Sequence, residues 1–275
     1  MDQCYTYPDK IGELEVDNDG KIAKMKWKPP DIVPTHYILE WWTLEKSENK
    51  KQIKITDTMY YFTDIRSSIE ARVAAANRDS KGEYSETVTI HAAPQAPVRI
   101  TAENTLQYSD PAILVKFDPA DDAQDQTVYH ITVVNIRGEE DKQEKTIRGS
   151  ATIIQGIKPC EMYQIAVTAK RNGLTSPPCV LAHPLLTVPG EIQDIKTEKI
   201  KAKTYRIDWR NTIGVEKYVV QYREEHEAFK TIESNINEIY LRDLKDDTRY
   251  EFRVLAQNDS GKGPFSRISS LWTGN

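Results

Sequence analysis

The sequence predicts an all-β protein made of three β-sandwiches in tandem, and three observations carry that reading. A pattern built around one buried aromatic occurs three times, at a period of roughly 90 residues. Within each copy, short segments alternate apolar and polar residues with period two and are bounded by Pro, Gly, Asn and Asp, which marks half-buried strands. No segment sustains a helical period. A chain of 275 residues, 39% of them hydrophobic, is long enough to bury cores of this kind.

The elements follow in order. The first copy runs through IAKMKW (22–27), YILEW (37–41), YYFTDI (60–65), IEARVAAAN (69–77) and KGEYS (81–85). The second has ILVKF (113–117), YHITV (129–133), TIIQGIKPCEMYQIAVTA (152–169) and NGLTS (172–176). The third has YRIDW (205–209), YVVQY (218–222), IYLRDLKDDTRYEFRVLAQN (239–258) and SGKGPFS (260–266). The segments HAAPQAP (91–97) and AHPLLTVPG (182–190) carry the prolines and small residues of linkers. They divide the chain into a leader at 1–10 and sandwiches at 11–93, 94–186 and 187–275. Linkers this short and proline-containing act as semi-rigid spacers, so an extended array is expected.

Trp41 and Trp42 stand side by side, and a strand sends neighbours to opposite faces. Aligning the copies puts Tyr37/Leu39/Trp41, Tyr129/Ile131/Val133 and Tyr218/Val220/Tyr222 on the core side. Trp42 is out of phase and shares the outer face with Ile38, where the other copies carry His130, Thr132 and Val134, or Val219, Gln221 and Arg223. Ile38 and Trp42 are therefore the candidate protein-binding residues. The alternative is that Trp42 lies beneath the KKQIKI segment (50–55) or a long Lys or Arg stem.

These residues resemble fibronectin type III domains. The third copy carries the likeness best, with Trp209, the Tyr218/Val220/Tyr222 triplet, Leu244, Tyr250, Phe252, Val254, Asn258, Gly261 and Gly263. The resemblance implies seven-stranded immunoglobulin-like sandwiches, with a corner tyrosine whose hydroxyl bonds back to upstream backbone. Two positions depart from the pattern. Phe117 replaces the usual Trp in the second copy, and Ile69 stands at the corner of the first behind a shortened turn, IRSS (65–68). The resemblance then implies an altered corner in the first sandwich.

Composition narrows the function. The net charge of −5 is spread over interspersed acids and bases, which excludes nucleic acid as a partner. No apolar run approaches the roughly 18 residues of a membrane span, so membrane attachment would use a segment outside this sequence. Of three cysteines, Cys160 and Cys179 are expected too far apart to pair, and Cys4 precedes the first sandwich. Asn258-Asp259-Ser260 is an N-glycosylation sequon expected on an exposed loop, which makes Asn258 the candidate glycosylation site. The acidic stretch 118–125 lacks the ligand spacing of a calcium loop and is expected to be a solvated tip.

The five histidines are scattered, and no nucleophile elbow, phosphate loop or HExxH occurs. No enzyme activity, cofactor or metal is expected. The resemblance points to a non-catalytic binding and spacer array. Its expected place is the extracellular region of a cell-surface receptor or adhesion protein, such as a receptor-type tyrosine phosphatase, with a protein ligand or homophilic partner. The alternative is a cytoplasmic structural array similar to those of giant muscle proteins.

Overall fold

The computed structural model describes residues 7–138 and 140–274. Cys4 lies outside the described residues. Strands and connecting turns make up the whole of the described chain, with no helix.

The first sandwich contains β1 (Leu14–Asn18), β2 (Ile22–Trp27), β3 (His36–Thr43), β4 (Lys46–Ile55), β5 (Met59–Thr63), β6 (Ile69–Ala76), β7 (Lys81–Tyr84) and β8 (Val88–Ile90). One sheet has the order β1-β2-β5; the other is β4-β3-β6-β7, with β8 also on β6. The second sandwich contains β9 (Arg99–Gln107), β10 (Asp110–Asp118), β11 (Val128–Asn135), β12 (Lys142–Ile147), β13 (Ala151–Ile154), β14 (Met162–Arg171), β15 (Leu174–Thr175), β16 (Cys179–Val180) and β17 (Leu185–Leu186). Its sheets are β13-β10-β9 and β12-β11-β14-β15, with β16 and β17 on β14. The third contains β18 (Lys196–Lys201), β19 (Thr204–Asp208), β20 (Lys217–Glu224), β21 (Lys230–Ser234), β22 (Glu238–Leu241), β23 (Arg249–Asn258), β24 (Gly261–Lys262) and β25 (Ser269–Trp272). Its sheets are β18-β19-β22 and β21-β20-β23-β24, with β25 on β23.

The predicted alternation is visible in burial. Along β11 and β14 every second residue is buried, because each strand lays one face on the core and the other toward solvent. The final strand of each sandwich is broken where a serine hydroxyl replaces a ladder partner. Ser85 Oγ accepts from Val73 N at 3.1 Å, Ser176 Oγ from Ala169 N at 2.9 Å, and Ser266 Oγ from Val254 N at 3.0 Å.

An aromatic pair bridges the two sheets in each sandwich. Trp27 meets Tyr37 edge-on with ring centroids 5.5 Å apart, Phe117 meets Tyr129 at 4.7 Å, and Trp209 meets Tyr218 at 5.1 Å. In the first sandwich the packing begins before β1. Pro8 and Ile11 are buried, Lys10 pairs with Glu86 at 2.5 Å, and a Cβ at Gly82 would collide with the Pro8 carbonyl oxygen. Gly263 leaves the same room for the carbonyl of Pro189.

By proximity the described residues form two compact units. One runs up to Ala96 and adds Ala120–Val128 and Thr168–Pro177; the other comprises Pro97–Pro119, Tyr129–Val167 and the residues from Pro178 on.

The corner tyrosines behave as the resemblance implies. Tyr163 Oη accepts from Lys158 N at 3.0 Å and donates to Asp141 at 2.9 Å, and Tyr250 Oη accepts from Lys245 N at 3.1 Å. Burial pushes Tyr163 up to about 12. Burial alone would raise Asp141 too, but hydrogen bonds from Tyr163, Asn135 and Lys158 outweigh it and hold that carboxyl below its ordinary value.

A depressed folded pKa contributes stability above the unfolded value of about 3.9, and that stability is lost as pH falls through the folded value. Tyr163→Phe removes one of the bonds that hold the carboxylate. The variant is expected to be about 1–2 kcal/mol less stable at neutral pH. It should also lose less stability than the parent as the pH falls below about 4. Urea unfolding followed on the NMR cross-peaks of β14 at neutral and acid pH checks both.

Candidate functional site

The structure places the two adjacent tryptophans contrary to what their phase alone suggests. Trp42, on the outer face, is only 7% exposed, while Trp41, on the core side, is half-buried. The cause lies in β4. Between the pairs Trp41↔Lys51 and Thr43↔Lys46 the register shifts, so β4 carries extra residues opposite Trp42. Lys50 lies over the Trp42 ring at 4.6 Å and Arg72 at 5.4 Å, while Trp42 Nε1 donates to Glu70 at 2.8 Å. Arg72 also stacks on Tyr84 at 4.1 Å and pairs with Glu40. Ile38, on the same face, is half-buried. The expected open apolar spot is therefore corrected to a capped one, as the alternative reading had it.

The open aromatic surface is on the other side of β3. A cleft of about 520 Å³ lies between Trp41, Thr43, Lys46, Asn49 and Lys51 on β3 and β4, and Tyr60, Phe62 and the 64–67 turn following β5. Trp41, Tyr60 and Phe62 form its aromatic wall, with centroids 4.9–6.0 Å apart. Ile69 lines it at the position where the other sandwiches carry a corner tyrosine.

Two sequence changes explain this opening. From Ile157 to Tyr163, and from Leu244 to Tyr250, there are six positions; from Ile65 to Ile69 there are four. Without the hydroxyl, the first corner is tied by Ser68, whose carbonyl accepts from Leu44 N at 3.0 Å and whose Oγ accepts from Ala92 N at 3.1 Å. Around the mouth, Asp64 and Arg66 pair with each other at 3.1 Å. Lys46 and Lys51 are exposed and have no acidic partner among the described residues.

The second feature is the joint between the second and third sandwiches, where Asn258 falls. Asn258 is 3% exposed, which corrects the expected open loop. Its Nδ2, the atom a glycan would occupy, donates to the Thr187 carbonyl at 2.8 Å, and its Oδ1 accepts from Ser260 N at 3.0 Å. Asn104 Nδ2 donates to the Leu186 carbonyl at 2.9 Å and to Ser260 Oγ at 2.6 Å, while its Oδ1 accepts from Val188 N at 3.3 Å. Ser260 Oγ also donates to the Leu186 carbonyl. Thr187, fully buried, donates to Lys158 O at 2.8 Å and accepts from Glu161 N at 3.0 Å. Cys160 packs here, and burial pushes its thiol up.

The sequence reading missed Asn104 and Thr187, although a signal existed. Asn18 opposes Ala23 and Asn104 opposes Ile113, each four positions before the core aromatic, and Asn18 Nδ2 donates to the His91 carbonyl at 2.8 Å just as Asn104 does to Leu186.

The acidic stretch 118–125 is partly engaged rather than simply solvated. Asp122 accepts from the largely buried Arg171 at 2.9 Å and from the linker amide of Gln95 at 3.3 Å. Cys160 and Cys179 are free. Among the described residues no group of three or more His, Cys, Asp or Glu is placed to hold a metal ion, and no helix is long and apolar enough to cross a membrane.

With this geometry in view, the fibronectin type III domain family matches residues 190–272. Residues 190–272, the third of the three β-sandwiches in tandem, therefore match a fibronectin type III domain. The chain is similar to the collagen alpha-1(XII) chain of Oryctolagus cuniculus, 24% identical over 268 residues that make up 92% of this chain and 41% of that one. It is similar to the tyrosine-protein phosphatase Lar of Drosophila melanogaster, 27% identical over 147 residues, 50% of this chain and 7% of that protein. It is also similar to human neogenin, 23% identical over 280 aligned positions that cover 89% of this chain and 18% of that protein. The chain thus spans less than half the length of these curated relatives. Among solved structures, the FN1–FN3 domains of chicken CNTN1 share 19% identity over 98% of this chain and 99% of that one, with a TM-score of 0.32. In the first sandwich, Ile69 and the turn before it line the cleft.

Two outcomes follow. Trp42→Ala is expected to destabilise the first sandwich by about 3 kcal/mol, because a covered indole and its bond to Glu70 are lost; denaturant unfolding measures it. Chain secreted from eukaryotic cells and folded with its joint closed is expected to carry no glycan at Asn258, which peptide mass spectrometry reads directly.

Proposed function

We propose that this chain is a non-catalytic spacer and protein-binding array from the extracellular region of a cell-surface receptor or adhesion protein. The observation that carries the reading is the joint built by Asn104, Thr187, Asn258 and Ser260. A spacer must hold one module against the next. A connection whose buried amides and carbonyls are bonded to both flanking modules resists bending far better than a solvated tether, since each bond would have to be broken in a partly dry site. Similarity to a collagen chain over most of this sequence, and to segments of Lar and neogenin, supports the extracellular side. A protein ligand or a second copy of the chain is the partner this reading requires.

A second reading, an intracellular structural array, is favoured by the buried Asn258 and by the free thiols of Cys160 and Cys179.

Residual dipolar couplings test the spacer role. Couplings from β14 and from β23 are expected to fit one alignment tensor, and to need two in Asn258→Ala. Two tensors in the parent protein would defeat the spacer reading. Purified, fluorescently tagged chain is expected to stain intact cells saturably; staining only after permeabilisation would favour the intracellular array.

A further inference from the structure

The cleft of the first sandwich has three properties that together specify an occupant. Its wall is aromatic, with Trp41, Tyr60 and Phe62 in mutual contact and Ile69 beside them. Its two sides are strand edges. In the orders β1-β2-β5 and β4-β3-β6-β7, β5 and β4 are both terminal strands, so each turns a row of backbone N–H and C=O groups away from its sheet. Its charge is one-sided, since the lining carries Lys46, Lys51 and Arg66 against the single acid Asp64, which Arg66 already pairs. Lys51 sits directly across from Trp41 in the ladder, which puts it on the core-facing row, at the mouth of the cleft.

We infer that this cleft binds an extended acidic segment of a partner protein. The segment adds to the β5 edge as a further strand, places one apolar or aromatic side chain against Trp41 and Tyr60, and sets carboxylates against Lys46 and Lys51. Alternation within a strand makes these demands compatible, because residues two apart share a face. The free edge supplies main-chain hydrogen bonds, the aromatic wall supplies the apolar contact, and the unpaired lysines select the sign of the partner's charge. The inference rests on the protein-binding reading and gives its partner a chemistry.

The test uses the full chain, ¹⁵N-labelled, titrated with the acetylated and amidated heptapeptide Val-Glu-Val-Phe-Val-Glu-Val, in which both glutamates share the face of the phenylalanine. Amide shifts are expected to concentrate in residues 46–51 and 59–64. The double variant Lys46→Glu/Lys51→Glu, altered only at exposed positions and checked for an unchanged melting temperature, is expected to bind about tenfold more weakly. The peptide with lysine in place of glutamate is expected not to bind. Absence of binding by the acidic peptide, shifts that map elsewhere, or equal affinity in the charge-reversed variant overturns the inference, and the lysines then serve only to keep the edge unpaired. N-acetylphenylalanine binding as tightly as the heptapeptide overturns it in favour of a small-molecule site. Saturable cell staining that survives Lys46→Glu/Lys51→Glu leaves the array reading standing and places its binding surface elsewhere.

Discussion

In each sandwich an aromatic pair joins the two sheets, and the remaining structure is arranged around that contact. Trp27 on Tyr37, Phe117 on Tyr129 and Trp209 on Tyr218 each bring a side chain of one sheet onto a side chain of the other. Rings of this size bury more apolar area than any aliphatic neighbour, so their position fixes which strand face is inward and hence the register of every alternating segment. The pair has a cost where the partner is tryptophan. Trp27 Nε1 and Trp209 Nε1 are buried and have no hydrogen-bond partner, whereas Phe117 has no N–H to satisfy. Phenylalanine in the second sandwich therefore gives up ring area and avoids an unpaired donor.

The corners show how a local change alters a surface. A tyrosine at the corner fills the space between sheets with its ring and ties the preceding turn with its hydroxyl, as Tyr163 does with Lys158 and Asp141. Ile69 can do neither, and its turn is shorter, so Ser68 takes over the tie through its own carbonyl and hydroxyl. The sandwich stays closed around Ile69, which is buried, and opens at the neighbouring edge, where Trp41 and Tyr60 are left partly uncovered. Close-packed interiors do not spread such a defect evenly, and the missing volume collects where the fewest atoms must move.

The joint follows from a different requirement. Backbone amides and carbonyls withdrawn from water must be paired, and the connection at 186–188 is too short to pair them with itself. Neighbouring backbone pairs the Thr187 amide and the Val188 carbonyl, and side chains pair the rest: Asn104 and Ser260 the Leu186 carbonyl, Asn258 the Thr187 carbonyl, and Asn104 again the Val188 amide. Asparagine suits this role because its amide donates and accepts at once. The same logic engages Asp122 with Arg171 and the Gln95 amide.

What the sequence determined by itself was whatever depends on period and repetition. The all-β class, the three copies, the inward rows such as Tyr37/Leu39 and Ile131/Val133, and the altered corner at Ile69 were all legible, because a strand's side chains alternate by geometry alone. What only the tertiary structure decided was how residues distant in sequence meet. The phase of Trp42 is local, but its burial under Lys50 and Arg72 depends on a shifted register in β4 and on a neighbouring strand. The Asn258 triplet is readable as a sequon, but its burial depends on Thr187, which is 71 positions away. Exposure is a property of the surrounding packing, and a one-dimensional pattern records which way a side chain points without recording what comes to lie over it.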